Sequence, residues 1–353
     1  MPVRWSQLKA RGSLRGLSPF VILSLMSLAM ALLPQISSYE VVTAHIFDVM
    51  QNFGTLGLVA LALGLTIIAG EFDLSVSSMY VLGGMVAVLT GAHSPVLGVL
   101  AALGVGVVVG AVQGGLVAAL RMSSMPITLG GYLVLVGLTY TISHNKSVAY
   151  SNYDVGLWLD NPIAQVFSPR SLISVALFVV AALVMRYTRI GRDVRAIGGD
   201  RRASRTAGVR VDRILIGVFV VAAVASALPG ALLDYSLASA SPQIGLDQLT
   251  FSATAALLGG VSLSGGRGSP AGIAAGVLSL SILQELLVII AAPMYVSSLI
   301  TGGLLLAVTI AWAPGLGQWL RTFGFVKIDE DDGAELAFHG VSESVQEKQE
   351  PSA

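Results

Sequence analysis

The sequence predicts an all-α fold: a polytopic transmembrane helical bundle of about ten spans, with both termini in the cytoplasm. Three observations carry that prediction. Of the 353 residues, 54% are hydrophobic and only 11% are charged, with a mean hydropathy of +0.80; soluble domains carry roughly 25% charged residues. Apolar stretches close to the ~20 residues that a membrane helix needs recur along the chain. The 40 glycines fit as well, because membrane helices tolerate Gly and use it for close packing.

The chain opens on a basic arm, residues 1–16, with Arg4, Lys9, Arg11 and Arg15. The apolar run from Leu17 to Leu33 follows. No small-x-small cleavage site comes after Pro34, so this run is read as a retained first span rather than a signal peptide. The membrane domain is placed at 17–315. Its candidate spans are 17–34, 53–70, 74–91, 95–119, 124–142, 171–187, 214–233, 251–263, 270–291 and 296–313. The stretch 251–263 is too short to cross in a straight line. A full crossing is nevertheless favoured, because it keeps Arg321 and Lys327 on the basic side.

Lys and Arg near the span ends set the orientation. Arg186, Arg189, Arg192, Arg195, Arg201, Arg202, Arg205, Arg210 and Arg213 crowd the stretch 186–213, which is therefore cytoplasmic. Segments 35–52 and 143–170 fall outside. From about Lys327 the chain turns acidic and loses its apolar residues. Segment 327–353 is read as a disordered cytoplasmic tail.

Composition also excludes. The net charge is zero, so nothing points to nucleic acid. There is no cysteine, hence no disulfide, thiolate metal site or Cys nucleophile. His45, His93, His144 and His339 lack metal-ligand spacing, and no metal site is predicted. No G-x-x-x-x-G-K-[ST] phosphate loop and no Ser- or His-based catalytic motif appears. No catalytic residue is assigned. The chain is not expected to be an enzyme or to hydrolyse ATP itself.

The polar residues inside apolar surroundings are the candidates for function. Glu71, Asp73 and Ser75 interrupt the apolar stretch between Phe53 and Gly91. They either line a solute path at a broken helix or form a tight turn with solvated acids. Gln284 and Glu285 sit within the span 270–291. A carboxylate there is costly unless paired, protonated or wetted, and is a functional candidate by default. The blander alternative is a helix–helix hydrogen bond. Gly106, Gly110 and Gly114 form a small-xxx-small stripe for helix packing, within the chain or between subunits. Pro126, Pro229 and Pro293 lie in or beside spans. In the loop 188–213, Asp200 is placed to cap a short helix that Gly208 ends. An ordered basic helix there suits a soluble docking partner; a loop attracted to anionic lipid is the blander reading. An internal echo joins Gly70-Glu-Phe-Asp-Leu-Ser75 to Gly259-Gly-Val-Ser-Leu-Ser264.

Three stretches resemble the permease subunits of ribose-type ABC importers. G-E-F-D-L-S-V-S-S at 70–78 is similar to the family's Gly-Gly-Ile-Asp-Leu-Ser-Val-Gly-Ser signature. G-R-D-V-R-A-I-G-G-D-R-R-A-S-R-T-A-G-V-R-V-D-R at 191–213 resembles its cytoplasmic loop. A-A-L-L-G-G-V-S-L-S-G-G-R-G-S at 255–269 resembles its late glycine-rich motif, here Gly259, Gly260, Ser262, Gly265, Gly266 and Gly268. The resemblance implies a cell-membrane permease for a sugar or sugar-like solute, moved inward. It implies a core of two permeases, whether two copies or a copy and a homologue. It further implies a cytoplasmic ABC ATPase that binds the ATP and magnesium, and an extracytoplasmic solute-binding protein. Gly191, Arg192, Gly198, Gly199, Ala203 and Gly208 then belong to the loop that docks into the ATPase.

The chain departs from that pattern at Glu71 and Ser77, where Gly is usual, and at Asp200, where Asn is usual. Gln284-Glu285 stands where many members carry Asn-Asn. An extra carboxylate in the path would favour a solute other than a simple neutral pentose. The competing reading is a stand-alone secondary carrier or channel, with Glu71, Asp73 and Glu285 as proton or cation sites. A membrane enzyme or scaffold comes third.

Overall fold

The computed structural model of the protein describes residues 5–32, 38–243 and 247–312. The chain divides into two compact units, Met1–Val308 and Thr309–Ala353. The elements up to Val308 belong to the first. The acidic stretch 327–353 lies outside the described residues, as do residues 1–4 of the basic arm.

In chain order the helices are α1 (Trp5–Ala31), α2 (Tyr39–Ile68), α3 (Val76–Thr90), α4 (Pro95–Leu120) and α5 (Ser124–Ile142). Strand β1 (Val148–Ala149), α6 (Tyr153–Leu159), α7 (Pro169–Tyr187), α8 (Arg189–Gly199), α9 (Arg201–Thr206) and α10 (Val211–Ser236) follow. The series closes with β2 (Ser239–Ala240), α11 (Asp247–Leu258), α12 (Pro270–Ile289) and α13 (Met294–Trp312). The two strands pair antiparallel, Val148 with Ala240 and Ala149 with Ser239. The fold is all-α apart from that short ribbon, as expected.

Every predicted span coincides with a helix. Among the described residues, α2, α4, α5, α7, α10 and α12 are long and apolar enough to cross a membrane. Leu17–Ala31, α3 and Met294–Ile310 are shorter apolar helices. The favoured full crossing at 251–263 is not met by α11 alone. Its 12 residues extend about 18 Å at 1.5 Å per residue, against a hydrocarbon core of about 30 Å.

Helix starts follow their capping residues. The Ser38 side chain accepts from the Val41 N–H at the start of α2. Ser168 and Ser171 form a reciprocal capping box at α7, with Pro169 as the first helical residue. Ser269 caps α12 ahead of Pro270. Each arrangement satisfies N–H groups that a helix leaves orphaned, and Pro at the first position has no N–H to orphan.

α2 forms the centre of the bundle: its residues from Gly57 to Ile68 are all buried. α10 packs along α3 and α4. The stripe Gly106, Gly110 and Gly114 lies directly against the α10 backbone; a Cβ on Gly110 would come within 2.6 Å of the Phe219 carbonyl. The stripe therefore packs within the chain. Val107, Val108, Val112 and Leu116 on the opposite side of α4 are exposed, as an outer helix facing lipid requires.

Candidate functional site

α2 and α11 end in the same way. After each, a glycine adopts the left-handed conformation, Gly70 at φ +82° and Gly260 at φ +82°. Glu71 N–H donates back to Thr66 O, and Val261 N–H to Ala256 O. Gly70 N–H reaches Ile67 O, and Gly260 N–H reaches Leu257 O. These are paired Schellman closures, which need a residue that tolerates positive φ. The internal echo is thus real in local structure. Its register is one residue away from the sequence frame, since Gly70 matches Gly260 rather than Gly259.

The segment between α2 and α3, residues 69–75, is a junction. Glu71 is 6% exposed and Asp73 is 1% exposed, so the tight turn holds but solvated acids do not. Glu71 Oε1 forms an ion pair with the Arg201 guanidinium of α9; the contact is ionic rather than a regular hydrogen bond. Glu71 Oε2 accepts from the Ser124 N–H at the start of α5, at 3.3 Å. Phe72 N–H donates to Ser124 Oγ and Leu74 N–H to Thr128 Oγ1. Asp73 Oδ1 accepts from Ser75 N–H at 2.9 Å and lies 2.6 Å from Ser75 Oγ. That hydroxyl lies 2.9 Å from Gln113 Oε1 on α4. Burial pushes the Asp73 carboxyl above its usual range, against the opposing pull of the Ser75 bonds.

The basic loop folds as the two helices α8 and α9. Asp200 caps α9 as predicted, its Oδ1 accepting from Arg202 N–H at 2.8 Å and Ala203 N–H at 2.9 Å. Gly208, at φ +84°, follows the helix end. Gly191, Val194 and Ile197 form the buried face of α8. Gly191 is pressed against the Met185 backbone, where no side chain fits. Arg192, Gly199 and Ala203 are exposed, beside Arg189, Arg202 and Arg205. The exposed face is basic.

Gly198 is different. A Cβ there would collide with the Ile68 carbonyl and come within 2.5 Å of Gly266 N. A Cβ on Gly265 would stand 2.5 Å from Gly198 O and 2.9 Å from Gly70 Cα. Gly266 N–H donates to Ile68 O at 2.9 Å. The turn is closed by Ser262 N–H to Arg267 O and Gly265 N–H to Ser262 O. Gly268 abuts the Ile68 side chain, and Gly259 abuts the Gly272 backbone. Three stretches far apart in sequence, around Gly70, Gly198 and Gly265, thus meet backbone to backbone.

Gln284 and Glu285 lie elsewhere, on α12. Glu285 is 5% exposed, and its Oε1 is 2.7 Å from His45 Nδ1 on α2. With Asp48 one turn along α2, donor atoms of three residues lie within 4.8 Å of one another. The His45–Glu285 pair already satisfies the buried carboxylate, and the arrangement bridges α2 to α12.

Residues 45–309 match the family described as branched-chain amino acid transport system / permease component. The chain belongs to this permease family. It is 33% identical to the L-arabinose ABC transporter permease protein of Azospirillum brasilense, over 71% of this chain and 74% of that one. It is 30% identical to the fructose import permease protein of Rhizobium meliloti, over 77% of each chain. It is 31% identical to the ribose import permease protein of Escherichia coli K12, over 68% of this chain and 77% of that one. No solved structure matches. The permease is a multi-pass protein of the cell membrane.

A second polar cluster in the permease was missed in the sequence. Arg170, at the start of α7, is 5% exposed and pairs with Asp160 at 3.0 Å. Gln51 Nε2 on α2 donates to Asp160 Oδ1, and the Ser236 hydroxyl donates to Asp160 Oδ2. Ser168 Oγ donates to Gln51 Oε1. Across from these, Asp234 Oδ2 on α10 occupies the space above Gly84 of α3, and the Tyr80 carbonyl occupies that above Gly230. A signal did exist. Arg170 and Asp234 each stand one residue outside a predicted span, 171–187 and 214–233, so neither was weighed as an intramembrane charge.

Proposed function

We propose that this permease is the membrane subunit of an ATP-driven importer for a monosaccharide-like solute. Its core pairs two permeases, with itself or a homologue. A cytoplasmic ATPase binds the ATP and magnesium, and an external binding protein delivers the solute. The observation that carries this reading is the junction at Gly70, Gly198 and Gly265. There α8 and α9 present arginines outward, while their inner face is fixed to the ends of α2 and α11. A partner that moves those two helices moves both helix breaks at once. Two-state coupling of this kind needs an element that both sites bias. Glu71–Arg201 adds a charge link from α9 to α5 through the same turn. The relatives' named solutes, arabinose, fructose and ribose, support the sugar class.

The test is purification from native membranes in mild detergent, with partners identified by mass spectrometry. A co-purifying protein with a phosphate-loop motif, and uptake that requires ATP, are the expected results. A permease that comes out alone, with uptake driven by a proton or sodium gradient, makes it a secondary carrier instead.

A further inference from the structure

His45, Asp48 and Glu285 meet between α2 and α12, at the end of the bundle opposite the junction. His45 lies about 35 Å from Ile68 along α2, at 1.5 Å per residue. Glu285 stands four residues before Ile289, where α12 ends. His45 and Asp48 are three residues apart and therefore share one face of α2. Glu285 reaches them from α12, 240 positions from His45. One donor atom from each of the three lies within 4.8 Å of the other two. Glu285 is 5% exposed, His45 is partly buried and Asp48 is exposed. The group is thus closed on the α12 side and open on the Asp48 side. Among the described residues, these side chains make one hydrogen bond, between His45 Nδ1 and Glu285 Oε1 at 2.7 Å; Asp48 and Glu285 Oε2 make none. Met30 of α1, Val49 and Ile282 form a buried apolar cluster beside them, with Met26 and Leu286 packed against it. The three donors therefore project from packed helices rather than loops, which fixes their positions.

We infer that His45, Asp48 and Glu285 bind one divalent transition-metal ion of the Zn²⁺ kind. The donor set decides the class: an imidazole with two carboxylates suits Zn²⁺ and its first-row neighbours, whereas Ca²⁺ and Mg²⁺ take oxygen ligands. The charge balances as well. Two carboxylates and a neutral imidazole cancel the ion's two positive charges, which suits a group half out of water. Zn–N and Zn–O bonds of about 2.0–2.2 Å put ligand atoms about 3–3.5 Å apart. The donors are already near that spacing, and the exposed Asp48 side chain has room to close the remainder. The ion replaces the proton between His45 Nδ1 and Glu285 Oε1, because a metal-bound imidazole is deprotonated at the ligating nitrogen. Three protein ligands leave a position open to water on the exposed side. The bound ion staples α2 to α12. The sequence hid the site because only two of its three ligands are neighbours in the chain. The inference does not depend on which solute or ATPase the permease serves.

The test uses the purified full-length permease without a polyhistidine tag, stripped with a chelator and titrated with Zn²⁺ against a chromophoric zinc indicator. One Zn²⁺ per chain is expected to bind at micromolar concentration or below. Losing a residue that merely orients a metal ligand weakens such sites about 10–100-fold. Asp48→Asn removes a ligand, so it is expected to weaken binding roughly tenfold or more. Because Asp48 is exposed and makes no hydrogen bond, this variant keeps the fold and the His45–Glu285 contact. His45→Gln is expected to weaken binding in the same way. A permease that takes up no Zn²⁺ in the micromolar range overturns the inference. So does binding that both variants leave unchanged, which assigns the ion to other histidines. At a fixed Zn²⁺ concentration, the melting temperature of the parent is expected to rise by several degrees and that of Asp48→Asn by less than half as much; equal shifts overturn the staple between α2 and α12. Bound Zn²⁺ is expected to be displaced by Co²⁺ but not by equimolar Ca²⁺, and equal displacement by Ca²⁺ overturns the assignment to a transition ion.

Discussion

Two buried polar clusters sit at different depths of one bundle and differ in how far their hydrogen bonds are met. At the α2–α3 turn, Glu71 Oε2, Asp73 Oδ1, Ser75, Ser124 and Thr128 have hydrogen-bond partners within the chain, and Glu71 Oε1 is held by the Arg201 ion pair alone. Around Arg170, two guanidinium nitrogens are orphaned. Saturated polar networks rigidify, and half-saturated ones cost stability. A joint that transmits motion benefits from the first.

The largest expected break in that contrast is at Gly198. Gly198→Ala drives a methyl into the Ile68 carbonyl and Gly266; overpacking against backbone costs about 3 kcal/mol, read as a lower melting temperature in detergent. Next comes the ion pair. Arg201→Gln leaves Glu71 buried and uncompensated, at a cost of about 3 kcal/mol. Glu71→Gln leaves only a partly solvated arginine and costs less. Melting temperatures that rank these two in the reverse order would show that Glu71 is not held by Arg201. Glu285→Gln weakens the bridge to His45 and costs about 1 kcal/mol; it retains assembly, while uptake kinetics report whether the carboxylate also meets the solute. The smallest effects are at Gly199 and Ser77. A Cβ on Gly199 meets open space, and Ser77 Oγ is buried with no partner. Gly199→Ala and Ser77→Ala are expected within about 0.5 kcal/mol of the parent or slightly above it. A large loss at either would blur the line between filled and unfilled positions.

The fold was legible because hydropathy and length are summed over many residues. The spans at 95–119 and 124–142 match α4 and α5 nearly to the residue. The cap at Asp200 was legible too, since an N-cap bond is local. The site was only partly so. Glu71, Gly198 and Gly265 were each singled out for a separate reason, yet nothing in their spacing says that they touch. Arg170 and Asp234 escaped notice because helix ends are the least certain feature of a hydropathy reading.

By itself the sequence determined the all-α membrane class, the order of the helices, the basic loop and the three glycine-rich motifs. Those properties depend on composition and on neighbours a few residues apart. The tertiary structure alone decided that the three motifs converge, and that Glu71 answers Arg201 and Glu285 answers His45. Such pairings join residues more than 60 positions apart, and only the packing of whole helices brings their side chains within hydrogen-bond reach.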